Sequence, residues 1–227
     1  MFLVNPDLID RARPVFAGRS NIYWILGGAA AGKSTICRAI ADRSAIAVYD
    51  MDEHIYGTYF ARYTAERHPA NTAWLSAENP LVWALSLRHD EFDAFNRAAT
   101  AEYLDLLAED LAAGPPEQAV LIDGGITHPS IAAQVLAPQR MVCLAATDEE
   151  RVRQWETAEA REEMRGWIRE LPEPEEMWRR FLAHDAAIAS TLERESSAHH
   201  IPVVRRGPYD SVADTARQVT SLLRLPA

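Results

Sequence analysis

Nine consecutive residues carry the densest chemistry in the chain: Gly27, Gly28, Ala29, Ala30, Ala31, Gly32, Lys33, Ser34 and Thr35. They match the spacing G-x-x-x-x-G-K-[ST], in which each part has a physical task. Glycines let backbone N–H groups approach phosphate oxygens, and a helix N-terminus adds the positive end of its dipole. A lysine reaches the outer phosphates and a hydroxyl ligates Mg²⁺. The spacing predicts a seat for a nucleoside triphosphate, with Lys33 on the β- and γ-phosphates and Ser34 on the metal. The alternative is a Gly/Ala turn joining an ordinary strand to a helix.

Three acids could complete such a site. Asp123 closes the apolar run Ala119-Val120-Leu121-Ile122, where a carboxylate can hold the hydration shell of Mg²⁺ beside the phosphates. Asp50 and Asp52 follow a second β-like run, Ala45-Ile46-Ala47-Val48-Tyr49. In an extended segment residues i and i+2 point the same way, so the pair is expected to face the γ-phosphate together. Asp50 would then turn toward the metal, while Asp52 orients an acceptor hydroxyl and takes its proton. The bland alternative is a turn in which either residue caps a helix beginning near Glu53. Gly124 and Gly125 would let a substrate pack on backbone N–H groups, or they simply make a turn.

Basic residues supply two further candidates. Residues 151–173 hold Arg151, Arg153, Arg161 and Arg165 and read as a lid whose arginines close on the phosphates. Arg161 and Arg165 are preferred because they lie farther from the preceding strand. Interleaved glutamates leave a solvated helix face as the competing explanation. Residues 53–118 hold Tyr56, Tyr59, Phe60, Tyr63, Trp74, Trp83 and Phe92, with Arg62, Arg67 and Arg88 between them. An aromatic wall with polar anchors suits a small organic substrate, and Arg62 is the anchor selected.

The elements that must position these groups alternate. Apolar runs at 22–26, 45–49, 119–122, 141–145 and 201–204 are strands, and helical periodicity separates them. Ile36, Cys37, Ile40 and Ala41 form one helix face. Phe92, Phe95, Ala99, Tyr103, Leu106 and Leu107 form another, stopped at Gly114-Pro115-Pro116. A third helix is expected over about 175–194, and Pro202 marks its following strand as late-starting or at an edge. Alternating strands and helices predict a three-layer α/β fold with a parallel sheet, whose ligands bind at the carboxyl ends of the strands.

Composition narrows the partners. The chain has 227 residues, is 48% hydrophobic and carries a net charge of −10, which suits one α/β domain and disfavours broad docking on nucleic acid or anionic membrane. No apolar run is long enough to span a bilayer, and the first residues lack the pattern of a secretory signal. Cys37 and Cys143 sit in apolar runs and read as buried thiols in a reducing cytoplasm.

The Walker A loop at 27–35, the Asp-x-Asp at 50–52 and the Asp-Gly-Gly at 123–125 together resemble the small P-loop kinases. Shikimate and gluconate kinases and chloramphenicol phosphotransferase are the nearer kinds; nucleoside monophosphate kinases and zeta toxins are more distant. The resemblance covers roughly residues 21–52, 119–165 and 200–224. It implies a P-loop NTPase sandwich with sheet order 2-3-1-4-5, a substrate-binding insert at 53–118 and a lid at 151–173, all within one domain. ATP and Mg²⁺ are the implied cofactors, with Ser34, Asp50 and Asp123 on the metal. With the residues read above, the expected catalytic groups are Lys33, Asp52, Arg161 and Arg165, and the expected substrate contacts Asp52, Arg62, Gly124 and Gly125. The loop at 205–209 would border the adenine. The insert is long for a shikimate kinase, and only Gly124-Gly125 stands where that family has three glycines. The leading expectation is a kinase that phosphorylates a hydroxyl of a small molecule. A nucleotide-hydrolysing switch and a kinase of nucleic-acid ends are the alternatives.

Overall fold

The computed structural model describes residues 2–207 and 210–225. Five strands, β1 (Ile22–Gly27), β2 (Ala47–Asp50), β3 (Val120–Asp123), β4 (Met141–Ala146) and β5 (Val203–Arg206), form one sheet ordered β2-β3-β1-β4-β5. Every neighbouring pair runs parallel. Helix α1 (Pro6–Ala17) precedes β1 and α2 (Lys33–Ala41) follows it. Between β2 and β3 lie α3 (Met51–Glu53), a π-helical turn at His54–Thr58, α4 (Pro69–Leu75), α5 (Pro80–Ser86) and the long α6 (His89–Ala113). The short α7 (Pro129–Ala132) leads to β4, and α8 (Asp148–Thr157), α9 (Glu162–Arg169) and α10 (Pro174–Ala198) join β4 to β5. Helix α11 (Val212–Leu223) closes the fold. The fold is the P-loop NTPase-like three-layer sandwich, in the sheet order expected.

Successive side chains of the strands enter opposite layers. Trp24 and Leu26 of β1, Ile122 of β3 and Cys143 of β4 pack with Phe16 of α1 and Leu107 of α6. Ile25, Leu121, Val142 and Leu144 meet Ile36, Cys37 and Ile40 of α2 and Val219 of α11. Helices on both faces explain why the inner strands are unbroken apolar runs. Strand β5 starts only after Pro202 and lies at the sheet edge, as a residue without an N–H requires.

One local expectation changes. The chain turns helical at Met51, immediately after β2, so Asp50 and Asp52 do not leave the strand as an extended pair. Further along, α4 packs on α6, and Trp83 of α5 meets Phe95 of α6 edge-on. The buried Glu102 of α6 anchors α4: its oxygens accept from the N–H groups of Ala70 (2.8 Å) and Asn71 (2.9 Å) at the helix start. Among the described residues no helix is long and apolar enough to cross a membrane.

Candidate functional site

The loop between β1 and α2 lies at the carboxyl end of the central strand. Gly32 caps α2 with φ +79° and no side-chain hydrogen bond, which leaves the first N–H groups of a nine-residue helix open to an anion. Ala30 also holds a positive φ of +64°, a strained value for a residue with a Cβ and one that keeps the loop curled. Lys33 folds back over the loop, and its Nζ donates to the Gly28 carbonyl at 3.1 Å. Lys33 is the one lysine in the sequence. Ser34 and Thr35 are exposed at the helix start.

Strand register brings the acids to this loop. Asp123 is paired with Ile25 of β1 on one side and with Asp50 of β2 on the other. Asp123 is only 4% exposed, and its Oδ1 has no hydrogen-bond partner. Burial pushes its carboxyl above the usual range and nearby Asp50 adds to this, while Ser34 and Lys33 pull the other way. Asp50 caps α3: its Oδ1 accepts from the N–H groups of Asp52 (3.0 Å) and Glu53 (3.2 Å). The capping alternative therefore holds for one oxygen of Asp50 and leaves the other free.

Asp52 is open to solvent yet walled by protein on most sides, the situation of a group lining a cleft. Desolvation raises its pKa; Lys33 lowers it, Asp50 and Asp123 raise it, and Arg161 lowers it. Lys33, Asp50, Asp123 and Arg161 thus all lie within electrostatic reach of Asp52, although not by the extended geometry expected for Asp50 and Asp52.

The four arginines of the segment expected to form a lid separate clearly. Arg161 lies half-buried over the Trp155 ring, 4.4 Å from its centroid, and has no carboxylate partner among the described residues. Arg165 does something else. It is buried, donates from Nη1 to the carbonyls of Trp155 (2.8 Å) and Ala158 (3.0 Å), and is paired with Glu162. Its guanidinium staples the end of α8 to α9, so the expected role on the phosphates is withdrawn. Arg151 is buried against Asp185 of α10 at 2.5 Å, and Arg153 pairs with Glu150 at 2.6 Å.

Two other expectations are corrected. Arg62 is turned away from a ligand and onto α6, where it pairs with Asp110 (2.7 Å) and Glu109 (3.0 Å). The side of Gly125 expected to meet substrate is filled by protein. At φ +80°, a Cβ there would lie 2.1 Å from the Met51 Cβ. Gly124 is likewise covered by the Lys33 stem, with a Cβ placed 2.7 Å from Cε. These glycines let neighbouring side chains close over the turn.

Sequence reasoning put Arg206 only within the 205–209 loop beside adenine; it stands at the end of β5 and turns to Gly32. A Cβ on Gly32 would lie 2.2 Å from Arg206 Nη1, so this guanidinium covers the loop between β1 and α2, and its Nε is buried without a partner. The bare Gly32 was a visible signal; which side chain would occupy the space was not. Pro208 and Tyr209, in the loop expected beside adenine, lie outside the described residues.

The donors around Asp123 fit Mg²⁺. Among the described residues no group of three His, Cys, Asp or Glu side chains could hold a metal alone. Mg²⁺ typically takes one or two carboxylates and completes its shell with water and substrate phosphates. The unpartnered Oδ1 of Asp123, the free oxygen of Asp50 and the Ser34 hydroxyl are that kind of partial set.

No family model matches the chain, and no curated protein does. Among solved structures it is similar to TT1252 from Thermus thermophilus, at 18% identity and a TM-score of 0.52, over 92% of this chain and 100% of that one. At that identity the likeness concerns the fold alone.

Proposed function

We propose that this chain is an ATP- and Mg²⁺-dependent phosphotransferase that moves the γ-phosphoryl group to a hydroxyl of a small organic molecule. The observation that carries this reading is the convergence on one cleft of Lys33, Asp50, Asp52, Asp123 and Arg161 at the uncapped N-terminus of α2. The loop N–H groups and Lys33 bind the β- and γ-phosphates. Ser34, Asp50 and Asp123 would hold Mg²⁺, which when bound neutralises phosphate charge. Asp52 orients the hydroxyl and accepts its proton. The alcohol oxygen forms the new O–P bond as the bond from the γ-phosphorus to the β,γ-bridging oxygen breaks, and ADP leaves. Arg161 stabilises charge on the transferring group. The two free cysteines are both buried, which suits a reducing cytoplasm.

Because Lys33 is the one lysine, an acyl-phosphate derivative of ATP has a single lysine side chain to acylate. The reading expects Lys33 to be labelled and MgATP to block it. It also expects Asp52→Asn to keep that protection while losing acceptor-dependent ADP release. Labelling that MgATP does not compete would contradict the nucleotide seat. Acceptor-independent ADP release would favour the hydrolysing switch instead.

A further inference from the structure

We propose that the acceptor is an uncharged alcohol with a flat apolar body, seated on a stripe formed by Asp52, Tyr56 and Phe60 against Trp74. This rests on the phosphotransferase reading and names the substrate class for the same cleft. The stripe follows from helical register. Met51, Ile55 and Tyr59 recur one turn apart and are buried, at 0%, 2% and 0% exposure. The neighbouring row, Asp52, Tyr56 and Phe60, faces outward, with Tyr56 64% and Phe60 40% exposed. Trp74 of α4 meets both rings edge-on, at centroid distances of 6.0 and 5.8 Å. Tyr56 lies within electrostatic reach of Asp52, so the aromatic surface adjoins the carboxylate that would receive the hydroxyl. An uncovered aromatic cluster beside a reacting group is what a planar ligand would cover.

Charge selects against an anionic acceptor. All four arginines of the insert are engaged in ion pairs: Arg62 and Arg67 with acids of α6, Arg88 with Asp90 and Glu91, and Arg97 with Asp93 and Glu195. The insert has no lysine. Asp50, Asp52 and Asp123 line the floor. A carboxylate or phosphate on the acceptor would be desolvated beside like charges with no free cation of the insert to receive it. Arg161, the arginine within electrostatic reach of Asp52, is in the phosphotransferase reading committed to the transferring phosphoryl group.

Polar handles remain for a neutral molecule. The Tyr63 hydroxyl is buried without a partner. Burial raises the Tyr63 phenol. It therefore stays a protonated donor, suited to a hydroxyl or carbonyl oxygen, and the exposed Tyr56 phenol offers a second.

Mandelamide and mandelate make a matched pair, each with one secondary alcohol on a benzylic carbon. In the presence of Mg²⁺ and a nonhydrolysable ATP analogue, calorimetry should show mandelamide binding at least about tenfold more tightly than mandelate, a factor typical of one uncompensated charge contact. Tyr56→Ala and Phe60→Ala should each weaken mandelamide about tenfold or more with unchanged protection of Lys33 by MgATP. Both side chains are exposed, so melting temperatures should hold and would reveal misfolding. Phe60→Arg should reverse the preference toward mandelate. Tighter binding of mandelate, binding of neither, or no response to the Tyr56 and Phe60 substitutions would overturn the substrate assignment. Normal MgATP protection of Lys33 in those cases would leave the nucleotide seat standing.

Discussion

Replacing Asp123 by Asn should stabilise the ligand-free protein and abolish its response to MgATP. The Asp123 carboxylate is 4% exposed with Oδ1 unpartnered, and its pKa is raised because burial disfavours the charge. Leaving a buried polar group unpaired costs about 1–3 kcal/mol. An isosteric amide is still unpaired there but carries no charge, so the gain is the extra desolvation cost of the charge alone, on the order of 1 kcal/mol, which for a chain of this size is about 2–4 °C in melting temperature. The sign with pH also follows. A carboxyl raised in the fold binds its proton more tightly there, so wild-type stability should fall as pH rises from the ordinary carboxylate range through the raised value. Asp123→Asn should lack that slope. MgATP at about one hundred times its Kd should stabilise the wild type by about 2.7 kcal/mol and the variant hardly at all. Differential scanning calorimetry with and without MgATP reads both effects. A variant less stable than wild type when ligand-free, yet still stabilised by MgATP, would refute the reasoning.

Arg161 and Arg165 should part company. Arg161→Gln should lower kcat by about 10²–10³ with little change in melting temperature, whereas Arg165→Gln should cost about 2–4 kcal/mol of stability by breaking its buried hydrogen bonds. Steady-state kinetics and thermal melts separate them, and equal behaviour would count against the assignment. Gly125→Ala should destabilise by more than about 2 kcal/mol, because its Cβ would collide with Met51 at a positive φ; an unchanged melt would contradict the packing. Burial alone would raise the Glu195 carboxyl, but hydrogen bonds from His128 and Ser130 hold it down at about 2, from 4.5. That stability is present above the ordinary carboxyl pKa and is lost as pH falls toward 2. Glu195→Gln should therefore be about 3 kcal/mol less stable near neutrality and converge with wild type in acid, as denaturant titrations across pH would show.

The scaffold was legible because its signals are local. Apolar runs of strand length, the glycine-bounded loop and the Gly114 stop each act within a few residues, and alternation then sets the parallel sheet. The glycine-rich turn between β1 and α2 and the strand-end position of Asp123 were legible for the same reason. What could not be read was partner choice across the chain. Arg62 and Arg165 had the right residue type in the right segment, but acids of α6 and carbonyls of α8 were the better partners. The cleft positions of Asp50 and Asp52 came with the wrong geometry, since the capping bonds of Asp50 start a helix that the extended picture omitted. The pairing of β5 with β4 was expected, but not that Arg206, of the residues in 205–209, would be the one to cover Gly32.

Phosphorus NMR of the protein with MgATP and mandelamide tests the central claim most directly. The account predicts that ADP grows in step with a phosphate monoester of the alcohol, and that neither forms with Lys33→Ala. Inorganic phosphate released at the same rate with or without the alcohol would contradict it.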